Sequence, residues 1–300
     1  MFSPKTQLRI ISELRKFQRK KRRFFQKLAD GDTAPSDDMD LAPLALDAVR
    51  KRIPTRPVYP DIDSEMAVYS TFCGPTSSFT FDHNNTARDW PHYFISNNPT
   101  VLKIVADFGW KPIPLDLPIS RNPVESAHQA KIAKAAPHLF PDLERHRFLV
   151  YSDDKQRIRH DALPEIRDRL VEQGAAMAVH RSPHIKDNVL WEFTDSLFQD
   201  RYRVQSHRML RYMLGRMEAG KPLAVDRLFA TFFNLRDMQH PEVRRLNETW
   251  YEDILACGID CQLSFAFLAQ DEPNIIDLPP RPRKKYLGKK ITNDPGPGML

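Results

Sequence analysis

The stretch FLVYSDDKQRI, Phe148 to Ile158, runs from four apolar or aromatic residues straight into Ser152, Asp153, Asp154 and Lys155. That is the pattern of a buried strand leaving the core for solvent. Two carboxylates and an ammonium group at a strand end have several chemistries open to them. The carboxylates can hold a divalent cation such as Mn2+ or Mg2+. The lysine can meet an anionic oxygen directly, with no metal, or form a weak surface ion pair with Asp153. Ser and Asp can also just end the strand by bonding their own backbone in a turn. A D-x-D pair is not written here: period-two geometry puts position 155 on the face of Asp153, and position 155 is Lys.

Further polar residues stand at comparable places. Lys131 and Lys134, three apart, share one face of the helix expected before this strand, although lysines on helices ordinarily serve solubility. His180 and Arg181 close the next apolar run, where an imidazole and a guanidinium can meet a phosphate. Gln205 and Tyr212 lie a helical face apart, which suits packing as well as contact with a ligand. Trp250 reads as core before it reads as an exposed stacking platform.

The elements that must position these groups alternate along the chain. Short apolar or β-branched runs fall at 66–72, 92–97, 147–152, 175–180 and 228–233, and helix-like segments at 123–136, 161–173, 187–217 and 241–256. This alternation predicts an α/β fold, a mostly parallel sheet flanked by helices, over a domain of residues 65–270. In open sheets of that kind ligands collect at strand ends. Residues 31–64, rich in Pro, Asp and Ser, read as a linker with one short helix near 41–51. Residues 271–300 read as an extended or disordered Pro/Gly-rich tail. No Gly-rich phosphate loop follows the first strand run, and no G-x-S-x-G or H-E-x-x-H is present, so P-loop, dinucleotide and the commonest hydrolase chemistries lose weight.

Composition narrows the setting. The chain has 300 residues, 41% of them hydrophobic, and a net charge of +6, enough for a substantial core. The charge is concentrated: residues 5–28 hold ten Lys/Arg against the single acid Glu13, a net +9, which leaves −3 for the remainder. Leu8, Ile11, Leu14, Phe17, Phe24 and Leu28 recur within that segment near a helical period, so residues 1–30 read as a basic amphipathic helix that docks on an anionic membrane surface or a protein partner, or packs on its own domain. Nucleic acid is disfavoured as a partner, because the body lacks basic patches and stacking platforms. Three cysteines, Cys73, Cys257 and Cys261, make no disulfide framework, and no apolar run spans a membrane or forms a secretory leader, so the expected location is the cytoplasm, with the inner membrane face as the place of docking.

The ordered motifs KIAKAAPHLFPDLERHRFLVYSDDK (131–155), AVHRSP (178–183), YRVQSHRMLRYMLG (202–215), LFATFFNLR (228–236) and NETWYEDILACGIDCQLSFAFL (247–268) together resemble the glycosyltransferase-like domain of the plant mucilage and turgor-defect proteins and their bacterial relatives. The likeness spans roughly residues 66–268. It implies a Rossmann-like fold similar to the type-A nucleotide-sugar glycosyltransferases and transfer of a sugar from a nucleotide-diphosphate donor to a glycan or glycolipid hydroxyl. A non-catalytic glycan- or nucleotide-binding protein that keeps the fold is the alternative. The resemblance implies donor or phosphate contacts for Lys131, Lys134, Asp153, Asp154 and Lys155, catalytic roles for Asp153, His180 and Asp260, and acceptor contacts for Arg181, Gln205 and Gln262. Asp153 and Asp154 are the only metal candidates, and the family's own D-G-K, with lysine at the place of Lys155, favours direct charge neutralisation. This chain departs from the family's D-Q-L-S-F: Cys261 separates Asp260 from Gln262, which puts the general-base role of Asp260 in doubt.

Overall fold

The computed structural model describes residues 39–81, 87–182 and 187–280, together with Arg22. Seven strands form one sheet: β1 (Met66–Thr71), β2 (His92–Ser96), β3 (Lys111–Pro114), β4 (Phe148–Ser152), β5 (Met177–Arg181), β6 (Phe229–Asp237) and β7 (Ile275–Leu278). Their order across the sheet is β3-β2-β1-β4-β6-β5-β7. β6 runs antiparallel to both neighbours, and the other pairings are parallel. The expected α/β class, with a mostly parallel sheet flanked by helices, is therefore what the chain adopts.

The described α-helices are α1 (Leu46–Arg50), α2 (Pro99–Ala106), α3 (Pro123–Ala135), α4 (Pro141–Glu144), α5 (Leu163–Glu172), α6 (Val189–Ser196), α7 (Asp200–Arg203), α8 (Ser206–Glu218), α9 (Val243–Cys257) and α10 (Cys261–Leu268). Alternation along the strands feeds two cores. Ala67 and Tyr69 of β1 and Leu149 and Tyr151 of β4 face a layer containing α3, α9 and α10. Met66, Val68, Phe148 and Val150 face the opposite layer, which holds Val101 and Val105 of α2 and Leu163 and Leu170 of α5. Burial on both faces explains why these strands read as continuous apolar runs. Two helices start at an Asn-Pro step. Asn98 accepts from the amides of Thr100 (3.0 Å) and Val101 (3.4 Å), and Asn122 from that of Val124 (2.9 Å), while the following proline needs no partner for the N–H it lacks.

Three stretches differ from expectation. Residues 42–53 carry the short helix expected near 41–51, as α1, but they are packed on the body instead of lying in a linker: Leu44, Val49 and Ile53 belong to the main core, and the Leu44 carbonyl accepts from the Tyr251 hydroxyl at 2.6 Å. Ile275–Leu278, expected in the extended tail, is β7, hydrogen-bonded along β5. The single helix expected over 187–217 is three, α6, α7 and α8. The basic segment 5–28 lies outside the described residues apart from Arg22, as does the tail beyond residue 280.

Candidate active site at the carboxyl ends of β1 and β4

From β1 the chain steps outward to β2 and β3, then returns to form β4 on the other side of β1. The reversal makes the carboxyl ends of β1 and β4 the switch point of the sheet, the place where open α/β sheets form a ligand-binding crevice. Parallel register sets Tyr69 opposite Tyr151. Two residues further on come Thr71 and Asp153. The Thr71 hydroxyl is buried there and has no hydrogen-bond partner among the described residues.

β4 stops at Ser152, and the following residues close a turn in which the Gln156 amide donates to the Asp153 carbonyl at 2.9 Å. Strand alternation therefore does not reach position 155, and the expected pairing of Asp153 and Lys155 on one strand face is absent. Asp153 is still tethered to the sheet through its amide, which donates to the Phe232 carbonyl at 2.9 Å. Lys155 is exposed on the turn. The cation of Asp153 is instead Lys134: its Nζ donates to Asp153 Oδ1 at 3.1 Å, and the Lys134 side chain is only 3% exposed against 37% for Asp153. The Tyr151 hydroxyl donates to the same oxygen at 2.7 Å, and the Lys134 ammonium lies 4.9 Å from the centre of the Tyr151 ring. A buried lysine in such a cage is no solubility residue.

Lys131, one turn earlier on α3, extends this positive wall. Burial alone would raise the Asp153 carboxyl, but Lys134 and then Lys131 outweigh it and hold it below the usual carboxylate range. The Cys261 thiol behaves alike: burial raises it, yet Lys131 and Lys134, with Thr231, bring it below its ordinary value. Cys261 Sγ and Thr231 Oγ1 are 3.2 Å apart. Asp154 goes the other way, pushed up to about 7 by burial and by the charge of Asp153, against the opposing pull of Lys155.

Asp260 is the N-cap of α10. One of its oxygens accepts from the amides of Gln262 and Leu263, both at 3.2 Å. Burial and the nearby Glu192 raise its carboxyl well above the usual range. Gln262 reaches Glu192 of α6, its Nε2 donating to Oε1 at 2.6 Å. Asp260, Cys261 and Gln262 thus stand together at the start of α10, with Cys261 turned toward the two lysines and Gln262 toward α6.

Of the remaining expected residues, His180, Arg181 and Tyr212 stand apart from this group, while Gln205 and Trp250 hold the start of α10 from within the core. His180 and Arg181 end β5, on the far side of β6 from β4. The His180 ring bonds the Pro279 carbonyl at 2.7 Å and stacks on Phe232, and Arg181 pairs with Asp277. Gln205 is fully buried. Its Nε2 donates to His128 Nε2 at 3.1 Å, and its Oε1 accepts from the Ile259 amide at 2.8 Å. Burial, with Arg208 and Lys131 nearby, lowers His128 to about 3, so that its ring is neutral and can accept. Tyr212 packs edge-on against Phe267. Trp250 is core, edge-on to Phe265 and donating to the Cys261 carbonyl at 3.2 Å.

Sequence reading missed Thr71, Tyr151, Thr231 and Glu192 as members of the site, and Arg236 beneath it. Arg236 had a signal: a guanidinium inside the otherwise buried run FATFFNLRD. A cleft of about 490 Å³ opens at the carboxyl ends of β2 and β3 between Lys51, Arg52, Ser96, Asn97, Leu102 and Pro114. Asn97 links the two places, its Oδ1 accepting from the amide of Gly74, just past β1, at 3.0 Å.

A divalent cation is a poor fit to Asp153 and Asp154. Asp153 Oδ1 is already shared by an ammonium group and a hydroxyl, two lysines stand where a metal would add further positive charge, and the raised Asp154 carboxyl resists ionising. Among the described residues no three His, Cys, Asp or Glu side chains converge as metal ligands, and no helix is long and apolar enough to cross a membrane.

No family model matches the chain, and no curated protein matches it in sequence. Among solved structures it is similar to mouse xyloside xylosyltransferase 1 in its apo form, at TM-score 0.44 and 11% identity over 72% of this chain and 85% of that one. It is similar to the mannosyltransferase Ktr4p from S. cerevisiae, at 0.39 and 10% over 81% and 79%, and to the same enzyme in complex with GDP, at 0.37 and 11% over 78% of each chain. At these scores and identities no residue of this chain is matched to a residue of theirs.

Proposed function

We propose that the chain is a glycosyltransferase that moves a sugar from a nucleotide-diphosphate sugar to a hydroxyl of a glycan or glycolipid. The observation that carries this reading is the buried Lys134 ammonium held on Asp153 at the β1/β4 crevice, with Lys131 beside it and the unpartnered Thr71 hydroxyl at the same strand ends. A doubly charged leaving group needs preorganised positive charge, which a water-poor crevice makes more effective. The order of motifs resembling glycosyltransferases, and the cleft at β2 and β3 of a size to take a nucleoside, support it further.

In this reading the diphosphate lies against Lys131 and Lys134, with Lys155 at the rim, and the nucleoside extends over the β2 and β3 ends. The acceptor approaches from the side of Gln262, with His180 and Arg181 beyond. Its hydroxyl oxygen attacks the anomeric carbon. The bond from that carbon to the phosphate oxygen breaks, and its electron pair leaves with the diphosphate. The hydroxyl proton passes to Asp260, whose raised carboxyl is matched to proton transfer near neutral pH. Positive charge comes from the lysines, so the reaction is read as metal-independent. Residues 5–28 remain the proposed contact to an anionic membrane surface or a protein partner.

The rival is a protein that binds the same donor without transferring it, favoured by the commitment of one Asp260 oxygen to capping α10. A panel of nucleotide sugars with mixed glycan acceptors, read by release of nucleoside diphosphate, separates the two. Transfer predicts release by the wild type that drops about 10²-fold or more in Asp260→Asn, with donor affinity kept. The wild-type rate should climb with pH across a range above that of ordinary carboxylates, because the base form of a raised carboxyl exists only above its shifted pKa. Donor binding without release supports the rival.

A further inference from the structure

Arg236 of β6 is fully buried. Its Nε donates to Asn247 Oδ1 at 2.8 Å, Nη1 to the Tyr69 hydroxyl at 2.6 Å and to Asn234 Oδ1 at 2.5 Å, and Nη2 to the Lys134 carbonyl at 2.7 Å. The ring of Trp250 lies 5.7 Å from its guanidinium carbon. Every one of these partners is uncharged, and no carboxylate pairs with Arg236 among the described residues. Both asparagines turn their oxygens to the guanidinium, and their own buried Nδ2 groups have no partner among the described residues.

Burying a cation with only neutral acceptors is costly, and an aspartate at 234 or 247 would have removed the cost with no change of size. Such a violation of the packing rules is expected where function requires it. The place is telling. The Lys134 carbonyl belongs to the last turn of α3, where carbonyls lack partners within the helix, and the same residue carries the ammonium that holds Asp153. Arg236 thus grips the main chain of the lysine from below while its side chain reaches the crevice above.

We infer that Arg236 is a positioning residue that fixes Lys134 at the crevice through its carbonyl and, because its partners are all neutral, leaves an uncompensated positive charge beneath the site that favours a diphosphate over uncharged ligands. This inference rests on the donor site proposed above. Unpaired charge in a poorly screened interior acts over several ångströms, so that Arg236 adds to the field of Lys131 and Lys134 without touching the ligand.

Replacing Arg236 itself risks unfolding, so the test changes its partner. Asn247→Asp supplies a carboxylate of the same shape and cancels the charge, whereas Asn247→Ala removes an acceptor and leaves the charge. UDP, GDP, ADP and CDP are titrated by calorimetry into the full-length wild type and both variants, and each protein is melted. The expected result is that Asn247→Asp melts at or above the wild-type temperature yet binds the preferred nucleotide about tenfold more weakly, while Asn247→Ala melts lower and binds within about twofold of wild type. A purely structural Arg236 would make affinity follow melting temperature, and equal binding by Asn247→Asp and wild type overturns the inference alone. If the wild type binds none of the four nucleotides, the donor site falls and the inference falls with it.

Discussion

Adjacent carboxylates in the Ser152-Asp153-Asp154-Lys155 turn have opposite electrostatic fates. Asp153 is held ionised by Lys134 and Lys131. Asp154 is pushed up from 3.8 to about 7. Because the folded state holds the Asp154 proton more tightly than the unfolded chain does, stability falls as pH rises through the window between those two values and is level beyond it. Asp154→Asn keeps the shape and removes the titration. It is expected to be more stable than wild type at pH 8, with the difference vanishing near pH 4, as read by urea denaturation at both values; a difference independent of pH would contradict this account of Asp154. Lys155, next in the chain, is exposed, so the lysine nearest Asp153 in sequence is not its partner in space.

At the scale of elements, the site depends on how α10 begins. Gly258 ends α9 with φ +112°, and a Cβ placed there would sit 2.8 Å from Gln205 Oε1. That oxygen accepts the Ile259 amide and so fixes the step into Asp260 and Cys261. Gly258→Ala is expected to cost about 1–3 kcal/mol in denaturant unfolding; a loss below about 0.5 kcal/mol would mean that the Gln205 bridge yields easily. Much of this arrangement was legible in the chain. β1, β2, β4, β5 and β6 announced themselves as buried runs, and Lys131, Lys134, Asp153 and Asp260 stood out through family-like motifs. β3, read from KPIP, was hidden by two prolines at a sheet edge. β7 was hidden by its Pro-rich surroundings. α10, CQLSFAFL, is buried nearly all round and so lacks the polar face that marks a surface helix. The union of Lys134 with Asp153, and of Arg236 with Lys134, crosses 19 and 102 residues, and no local period encodes such contacts.

On the scale of the whole molecule, the mixed seven-stranded sheet brings the ends of β1, β2, β3 and β4 to one rim. That rim carries both the lysine pair and the 490 Å³ cleft, a charged place beside a roomy one, as a nucleotide diphosphate requires. The central claim is that this rim binds such a donor through lysine charge. Its most direct test is thermal melting of the full-length protein with UDP-, GDP-, ADP- and CDP-sugars, with and without chelator, for the wild type and for the double variant Lys134→Met/Asp153→Asn. Both charges are removed together in that variant so that no buried ion is stranded. One nucleotide class is expected to raise the wild-type melting point, by an amount corresponding to about 2.7 kcal/mol at a hundredfold excess over Kd. Chelator should leave that shift unchanged, and the double variant should lose it. A shift that vanishes with chelator, returns with Mn2+ and persists in the double variant would contradict the claim.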